Sequence, residues 1–332
     1  MSPAPAPLPL HLPRTFSVQQ GLLAGVSTAR LRRGDLEKPF HGVRMLRAAA
    51  SPVHASTADV RGEPESAYVD DQHVRIRELA RAYATVMSRD AFFVDETAAV
   101  LHGLPCPHGD ALHVGVHDPH RPPRSQGVRG RRVAPHLARI TTVDDLPLAD
   151  AASTWAMLGR SLSTRMLVIL GDAIVNVPRD ATTQHLVEQQ RASIDDLHEI
   201  VNSANRPGNR RLRAALHHIR VGSGSPLETD YRLIAATAGL PEPQLDVEIR
   251  GDNGRLLGIA DIAYPEHRTL VEIEGDHHRV LRKQWQRDIE KHSSYTAAGW
   301  TLLRLGHLQI RHEPHRAIAL VRQALRLRGW KQ

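Results

Sequence analysis

Residues 256–274 read LLGIADIAYPEHRTLVEIE, and this stretch sets the architecture of the C-terminal third of the chain. Leu256 to Tyr264 and Thr269 to Glu274 are apolar runs with β-branched residues, so each is predicted to be a strand. The residues between them are predicted to form a turn, which makes the two strands an antiparallel hairpin. In this register Tyr264 pairs with Thr269.

The hairpin register collects three carboxylates on one face. Asp261 falls opposite Glu272, and since side chains alternate along a strand, Glu274 shares their face. Directly opposed side chains have Cβ atoms ~5 Å apart, and like charges there are destabilising, so a compensating cation is needed. Oxygen ligands favour Mg²⁺ or Mn²⁺, which neutralise phosphoryl oxygens and generate hydroxide for in-line attack. The alternative, a solvated acidic edge, conflicts with the apolar residues that flank the carboxylates.

The elements around the hairpin predict a mixed α+β domain. A helix opens at Ser225 and runs to Gly239, and a long helix spans Leu281 to Ala298. A third strand covers Trp300 to Leu305, and a last helix begins at Pro314.

The N-terminal region has the pattern of a winged helix-turn-helix. A first helix spans Phe16 to Leu23 with Ser17 as its N-cap, a second spans Ser27 to Arg33, and a β-wing covers Phe40 to Arg44. The second helix exposes three arginines that are candidates for DNA contact: Arg30, Arg32 and Arg33. A small helical hairpin with no DNA-binding role is the alternative interpretation of this pattern.

The whole chain is predicted to combine α and β elements (α/β, of the mixed α+β kind) in several domains. The predicted segments are a disordered tail (1–15), a winged helix-turn-helix (16–47), a linker (48–68), an α+β middle domain (69–190) and a C-terminal domain (191–332). The middle domain shows no catalytic constellation, and its histidines between residues 102 and 117 lack metal-ligand spacing.

Composition restricts the class of protein. The 332 residues carry a net charge of +7, and 39 of the 43 basic residues are arginine. Arginine binds phosphate bidentately, so a polyanion partner is one interpretation and GC-rich codon usage is the other. The single cysteine excludes an internal disulfide framework and multi-thiolate zinc sites, which favours a cytoplasmic protein, nucleoid-associated when it binds DNA. No run approaches the ~20 apolar residues of a membrane span, so no membrane partner is expected.

The C-terminal third resembles a known nuclease group. Asp261, ten intervening residues and then Glu272-Ile273-Glu274 resemble the PD-(D/E)XK core. More narrowly, residues 225–330 are similar to the uncharacterised endonuclease-like domains related to very-short-patch-repair enzymes. The matching pieces are Ser225–Glu228, Gly258–Asp261, Val271–His278, Arg287-Asp288 and Gly299–Arg304. The resemblance implies a restriction-endonuclease-like αβββαβ core.

The resemblance also implies a metal site. Asp261 and Glu272 would hold Mg²⁺ (or Mn²⁺), with the carbonyl of Ile273 completing the inner shell. Glu274 stands where the superfamily usually has lysine; an acidic residue there can orient the attacking water, or it can mark a domain that has lost cleavage. Two lysines of the following helix do not replace it in sequence, although either could reach the site in space: Lys283 and Lys291.

Further residues near the hairpin are assigned to the site. Glu228 forms a capping box with Ser225, and in the superfamily an acidic residue of this helix often leans towards the metal. His277 or His278 could protonate the leaving oxygen or contact a phosphate, and exposed loop histidines are the alternative. Nucleic-acid contacts are expected from Gln284, Arg287 and Arg304, with a solvated face or a salt bridge as the alternative.

The upstream part of the chain resembles the winged-helix and middle regions of AbiEi-type antitoxin proteins. The matches are the helix-turn-helix, Gly42-Val43 and the stretch ETAAVLHGL at residues 96–104. The favoured function is therefore a metal-dependent DNA endonuclease or nickase targeted by the winged helix. The alternative is an antitoxin-like DNA-binding regulator with an inactive nuclease-like domain and a toxin or defence-system partner. An RNA-directed nuclease ranks below both because stacking aromatics are scarce.

Overall fold

The computed structural model describes residues 5–47, 65–180, 183, 185–187, 190–274 and 291–331. The chain divides into two compact units, residues 1–158 and 159–332. The described residues contain helices and three sheets, each antiparallel or mixed, so the predicted α+β class is confirmed. Among the described helices, none combines the length and the apolar character that crossing a membrane requires.

The first unit begins with a small three-stranded sheet. Its strands are Thr15–Ser17 (β1), Leu36–Glu37 (β2) and Val43–Leu46 (β3), in the order β1-β3-β2. Helix Val18–Leu23 (α1) has Ser17 as its N-cap, in a reciprocal capping box with Gln20. The predicted first helix and its cap are therefore confirmed.

The second predicted helix, Ser27 to Arg33, is wrong in its extent. In this segment Arg30–Arg32 forms a single 3₁₀ turn. Ser27 does act as a cap, since its Oγ accepts a hydrogen bond from the N–H of Arg30 at 3.2 Å. Leu31 is the one large apolar side chain that the segment offers to the core, where it packs with Phe16. One turn buries it, and the segment has no apolar stripe to sustain a longer helix.

The remainder of the first unit is a five-stranded sheet with helices against it. The strands are Ala91–Phe93 (β4), Leu112–Val116 (β5), Val128–Arg132 (β6), Ile140–Val143 (β7) and Leu146–Ala149 (β8). Their order is β6-β5-β4-β8-β7, so β6 and β7 are the edges. The helices are Glu65–Ala84 (α2), Asp95–Leu101 (α3) and Ala151–Leu158 (α4). Helix α2 begins inside the predicted linker (48–68), and its Ile76, Ala80 and Tyr83 recur at helical spacing and are buried.

The segment that resembles AbiEi-type proteins has structural roles in this sheet. Gly103 follows the C-cap residue of α3 and adopts the left-handed conformation, with φ 75°. Nε2 of His102 donates to the carbonyl of Ala149 at 2.8 Å, which ties the end of α3 to β8. The hydroxyl oxygen of Thr97 accepts from the N–H of His113 at 2.8 Å and so ties α3 to β5. These hydrogen bonds give His102 and Thr97 structural roles in the first unit.

The second unit is built on a four-stranded mixed sheet. Its strands are Gln244–Arg250 (β9), Leu256–Tyr264 (β10), Thr269–Glu274 (β11) and Thr301–Gly306 (β12), in the order β12-β11-β10-β9. The described helices are Thr164–Val175 (α5), Ile194–Asn202 (α6), Asn209–Leu216 (α7), Pro226–Thr237 (α8), residues 291–297 (α9) and Pro314–Leu327 (α10). Strands β9, β10 and β11 are antiparallel neighbours, whereas β11 and β12 are parallel. From α8 to β12 the element order is αβββαβ.

The predicted hairpin register is confirmed. Tyr264 pairs with Thr269, and Ile262 pairs with Val271. Ile262 and Val271 are buried in a core that includes Leu305 and side chains of α8 and α10. Because side chains alternate along a strand, the carboxylates of the hairpin project from the face opposite this core.

The division between the units comes earlier than the predicted boundary between residues 190 and 191. Helix α5 belongs to the second unit because a buried ion pair ties it to α8, with Nη2 of Arg232 at 2.6 Å from Oδ2 of Asp172. The hydroxyl of Thr229 donates to the same oxygen at 2.8 Å. A pairing across ~60 residues of chain leaves no local mark in composition, so linker-like residues alone do not locate this boundary.

Candidate active site

A row of charged residues crosses the sheet of the second unit. The pairs on either side place Asp246 of β9 beside Asp261 of β10, and Asp261 beside Glu272 of β11. Glu272 pairs directly with Arg304 of β12. Neighbouring strands lie ~4.8 Å apart, so the row brings three carboxylates and one guanidinium group to adjacent positions.

The carboxylate of Asp261 is held against the neighbouring strand. Its Oδ2 accepts a hydrogen bond from the backbone N–H of Ile273 at 2.8 Å. In a strand the N–H and C=O of one residue point to the same side, so the Ile273 carbonyl also faces β10. Asp261 is thus in direct contact with the backbone of Ile273, and the role of the Ile273 carbonyl as a metal ligand stays a prediction.

A lysine from α9 reaches this row. Nζ of Lys291 donates to Oε2 of Glu272 at 3.1 Å and lies 2.9 Å from Oε1 of the same carboxylate. Sequence spacing leaves open whether Lys283 or Lys291 reaches the site. Lys291 contacts Glu272, whereas Lys283 lies outside the described residues. The ammonium group supplies part of the cationic compensation that the opposed carboxylates require.

Glu274 contacts an arginine of the neighbouring strand β12. Its Oε1 lies 3.3 Å from Nη1 of Arg304, and both side chains are about half exposed. Glu274 and Arg304, predicted as a catalytic residue and a DNA contact, therefore form an ion pair with each other at the end of the row.

Glu228 lies at the first turn of α8 and takes part in its capping, whereas its role towards a metal stays a prediction. Oγ of Ser225 accepts from the N–H of Glu228 at 3.2 Å, whereas Oε2 of Glu228 accepts from the N–H of Gly224 at 2.7 Å. In a capping box the Glu228 carboxylate would accept from the N–H of the N-cap, Ser225, but here it accepts from the preceding residue, Gly224. Burial, and then the nearby charge of Asp261, raise the pKa of Glu228 to about 8.

Because the pKa of Glu228 is raised, the free energy of unfolding of the ion-free protein should fall as pH rises. The folded state retains the proton up to pH about 8, whereas the unfolded chain loses it near 4.5, so folding binds a proton between these values. With a chelator present, we expect the melting temperature to fall as pH increases through this window, and Glu228→Gln to flatten the fall. Thermal melts of both proteins across the window measure it. A decline that the substitution leaves unchanged would contradict the assignment.

The pKa of Glu272 reflects the groups around it. Burial, and then the charge of Asp261, raise this pKa, whereas Lys291 and Arg304 lower it. Carboxylate and carbonyl oxygens are the donors that Mg²⁺ or Mn²⁺ prefers, so Asp261, Glu272 and the Ile273 carbonyl fit such an ion.

Tyr295 and Gly258 shape the wall of the site, and sequence analysis did not identify either. Tyr295 is fully buried, and its hydroxyl has no hydrogen-bond partner among the described residues. A Cβ placed on Gly258 would lie 2.5 Å from this hydroxyl oxygen and 3.0 Å from Cε of Lys291. The bare backbone of β10 therefore leaves the space that both side chains of α9 occupy. Burial, and then the charges of Glu272 and Asp261, raise the pKa of Tyr295.

Gly258→Ala is expected to push α9 away from the sheet and to lower the free energy of unfolding by about 1–3 kcal/mol, as overpacking does. Tyr295→Phe removes a buried hydroxyl that lacks a described partner, so alone it should leave stability unchanged or higher. In the double variant the phenylalanine should recover part of the loss, because the closest clash is gone. Denaturant unfolding of the four proteins measures this coupling. Strictly additive losses would show that the two residues do not meet.

Four predicted site residues lie outside the described residues: His277, His278, Gln284 and Arg287. Their predicted roles stay predictions. Asp246, which sequence analysis missed, is held by Arg179, whose Nε lies 2.7 Å from Oδ1. Its register beside Asp261 and the effect of its charge on the pKa of Glu228 both link Asp246 to the site.

The arginines of the predicted recognition helix are not equivalent. Arg30 donates from Nη1 and Nη2 to both carboxylate oxygens of Asp35, at 2.9 and 2.7 Å, and from Nε to the carbonyl of Ala6. Its side chain is 11% exposed, so these bonds hold Arg30 against neighbouring residues of the first unit, and its contact with DNA stays a prediction. Arg32 is exposed, and Arg33 is partly buried.

A second polar cluster lies in the first unit, where sequence analysis indicated no metal spacing. Ligand atoms of Asp95, Glu96 and His113 all lie within 4.8 Å of one another, and no other described trio of this kind does. Arg131 pairs with both oxygens of Asp95 at 2.9 Å. Nδ1 of His113 lies 2.7 Å from Glu96. Burial lowers the pKa of His113, but hydrogen bonds to Asp95 and Glu96 outweigh it and raise the pKa to about 9. The cations of the cluster thus balance its carboxylates internally.

Comparison with known proteins adds similarity without a described function. No family model matches the chain. Two uncharacterised proteins of Mycobacterium tuberculosis, from two strains, are each 26% identical to it over 148 residues, which is 44% of this chain and 54% of theirs. The chain therefore spans about half the length of the curated relatives it matches.

Proposed function

We propose that the second unit is a metal-dependent DNA endonuclease or nickase. The observation that carries the proposal is the contact of Lys291 with Glu272, next to Asp261 whose carboxylate is bonded to the backbone of Ile273. Two adjacent carboxylates, a carbonyl and an ammonium group are the functional groups that phosphodiester hydrolysis requires.

Each group has a role that its surroundings support. Asp261, Glu272 and the Ile273 carbonyl would hold Mg²⁺ (or Mn²⁺), which supplies charge neutralisation at the phosphate and lowers the pKa of a bound water. Lys291 can donate to a phosphate oxygen or to the attacking water while it remains beside Glu272. Glu228 retains a proton at neutral pH in the ion-free protein and can exchange it when the charge of the site changes.

The position of Lys291 supports an active site over a silent one. Glu274 replaces the usual lysine of the superfamily, which by itself favours a domain that has lost cleavage. An ammonium group reaches Glu272 from α9 instead, and Glu274 pairs with Arg304 away from it. The net charge of +7 favours a polyanion such as duplex DNA as the partner.

The decisive assay incubates the purified full chain with supercoiled plasmid and with single- and double-stranded oligonucleotides, in Mg²⁺, in Mn²⁺ and in chelator. We expect cutting that requires the divalent ion, with nicked product for one-strand cleavage and linear product for two-strand cleavage. No cutting of any DNA, together with a duplex gel shift, would reject the nuclease and favour the antitoxin-like regulator, with a toxin or defence-system partner to be sought.

A further inference from the structure

The first unit contains a strongly basic stretch without acidic residues. Between residues 119 and 143 there are six arginines and no aspartate or glutamate. Arg131, Arg132 and Arg139 of this stretch pair with carboxylates elsewhere in the unit. The other three are exposed and have no hydrogen-bond or ion-pair partner among the described residues: Arg121, Arg124 and Arg129. The positive charges of these three arginines are therefore not compensated by carboxylates among the described residues.

These arginines lie on a loop that is packed onto the edge strand β6. A Cβ placed on Gly130, in the middle of β6, would lie 2.3 Å from the carbonyl oxygen of Pro123. Nε of Arg132 donates to the carbonyl of His120 at 3.3 Å. The loop before β6 is thereby fixed against the strand, which brings Arg121 and Arg124 to the same edge of the sheet as Arg129.

The basic loop also adjoins the turn between β2 and β3, where the wing is predicted. A Cβ placed on Gly127 would lie 3.3 Å from Cε1 of Phe40, so the backbone of the loop packs on this ring. Phe40 is buried, whereas Lys38 and His41 on either side of it are exposed. The turn and the loop therefore present their cations side by side.

We propose that the turn 38–42 and the loop 121–129 together form a phosphate-binding surface for duplex DNA. This inference rests on the proposed function, which it deepens by locating the DNA contact away from Arg30. Guanidinium groups match phosphate oxygens bidentately, and three without carboxylate partners lie at this edge. Single-stranded nucleic acid is disfavoured, because Phe40 is the one phenylalanine, tyrosine or tryptophan in these two segments, and its buried ring offers no stacking platform.

The test measures the salt dependence of duplex binding by the full chain, with chelator present so that cutting plays no part. A triple variant with Arg121→Gln, Arg124→Gln and Arg129→Gln is compared with a matched control that removes the same charge from the second unit. The control replaces three exposed arginines without described partners: Arg210→Gln, Arg213→Gln and Arg326→Gln. Fluorescence anisotropy of a labelled duplex is recorded from about 50 to about 200 mM salt.

The triple variant should lower the slope of log affinity against log salt by about 2.7, since each lost phosphate contact removes about 0.9. The control should keep the parental slope. Equal losses in both variants, no loss in the triple variant, or a parent that binds no duplex would overturn the surface. A parent that binds through this surface but cuts no DNA would leave the inference standing and remove the nuclease proposal. A parent that cuts DNA, with a triple variant that keeps the full salt slope, would support the nuclease proposal and reject the phosphate-binding surface.

Discussion

Replacing Asp261 by asparagine is expected to lower metal-dependent plasmid cleavage about 10³-fold or more, which corresponds to about 4 kcal/mol of lost transition-state stabilisation. Asparagine keeps an oxygen that can accept from the N–H of Ile273, so the strand contact survives while the charge is removed. Loss of that charge also relieves repulsion with Glu228 and Glu272. The melting temperature should therefore be equal to or above that of the parent.

The matched control for this variant is Asp252→Asn, in the exposed turn between β9 and β10. It removes the same charge from the same sheet of the second unit without replacing a residue of the row. Rates of plasmid nicking, thermal melts and duplex binding are measured for the three proteins side by side. Cleavage by Asp261→Asn at the parental rate would show that the site has been wrongly assigned. Equal losses in both variants would attribute the effect to net charge.

Replacing Lys291 by methionine is expected to lower cleavage by about 10²–10³-fold, the usual cost of removing one oriented donor. The substitution keeps most of the aliphatic stem that packs over Gly258 but leaves Glu272 without its ammonium partner. Because Lys291 lowers the pKa of Glu272, its loss raises that pKa further. The pH dependence of the residual activity should then move to higher pH, since a more alkaline solution is needed to ionise Glu272.

Lys331→Met is the control, because Lys331 is exposed near the C-terminus of the chain. A uniform loss of activity at all pH values would indicate that Lys291 acts only through folding. If Lys291→Met is as active as the parent, Lys291 is not the lysine of the active site, and Lys283 becomes the candidate. Rescue by Lys291→Arg should be partial, since the guanidinium group keeps the charge but not the compact geometry of the ammonium.

The parts of this molecule that could be predicted are those fixed by local pattern. The turn at residues 265–268 and the period of two in the strands determine the register of Asp261 and Glu272, and both were predicted correctly. Ser17 and Ser225 likewise predict the starts of their helices, because each is an N-cap whose side-chain oxygen accepts a hydrogen bond from the first turn. In each case the determining contacts lie within a few residues of one another.

The parts that failed or stayed open depend on distant contacts. Lys291 is 19 residues from Glu272, and only the packing of α9 on the sheet decides that it reaches the carboxylate. Arg30 looks solvent-facing in a helical pattern, yet Asp35 captures it once the helix shortens to one turn. Charge pairing in three dimensions has no fixed sequence spacing, so neither outcome follows from periodicity.

The candidate site is assembled from α8, β10, β11 and α9, all of which belong to one compact unit. The proposed phosphate-binding surface belongs wholly to the other unit. Under the proposed function, DNA cutting and the choice of DNA target can therefore evolve independently. Substitutions in residues 1–158 can change which DNA is bound without replacing any proposed metal ligand. Such a chain can acquire a new DNA target when its first unit is replaced, while the second unit keeps the residues that cut.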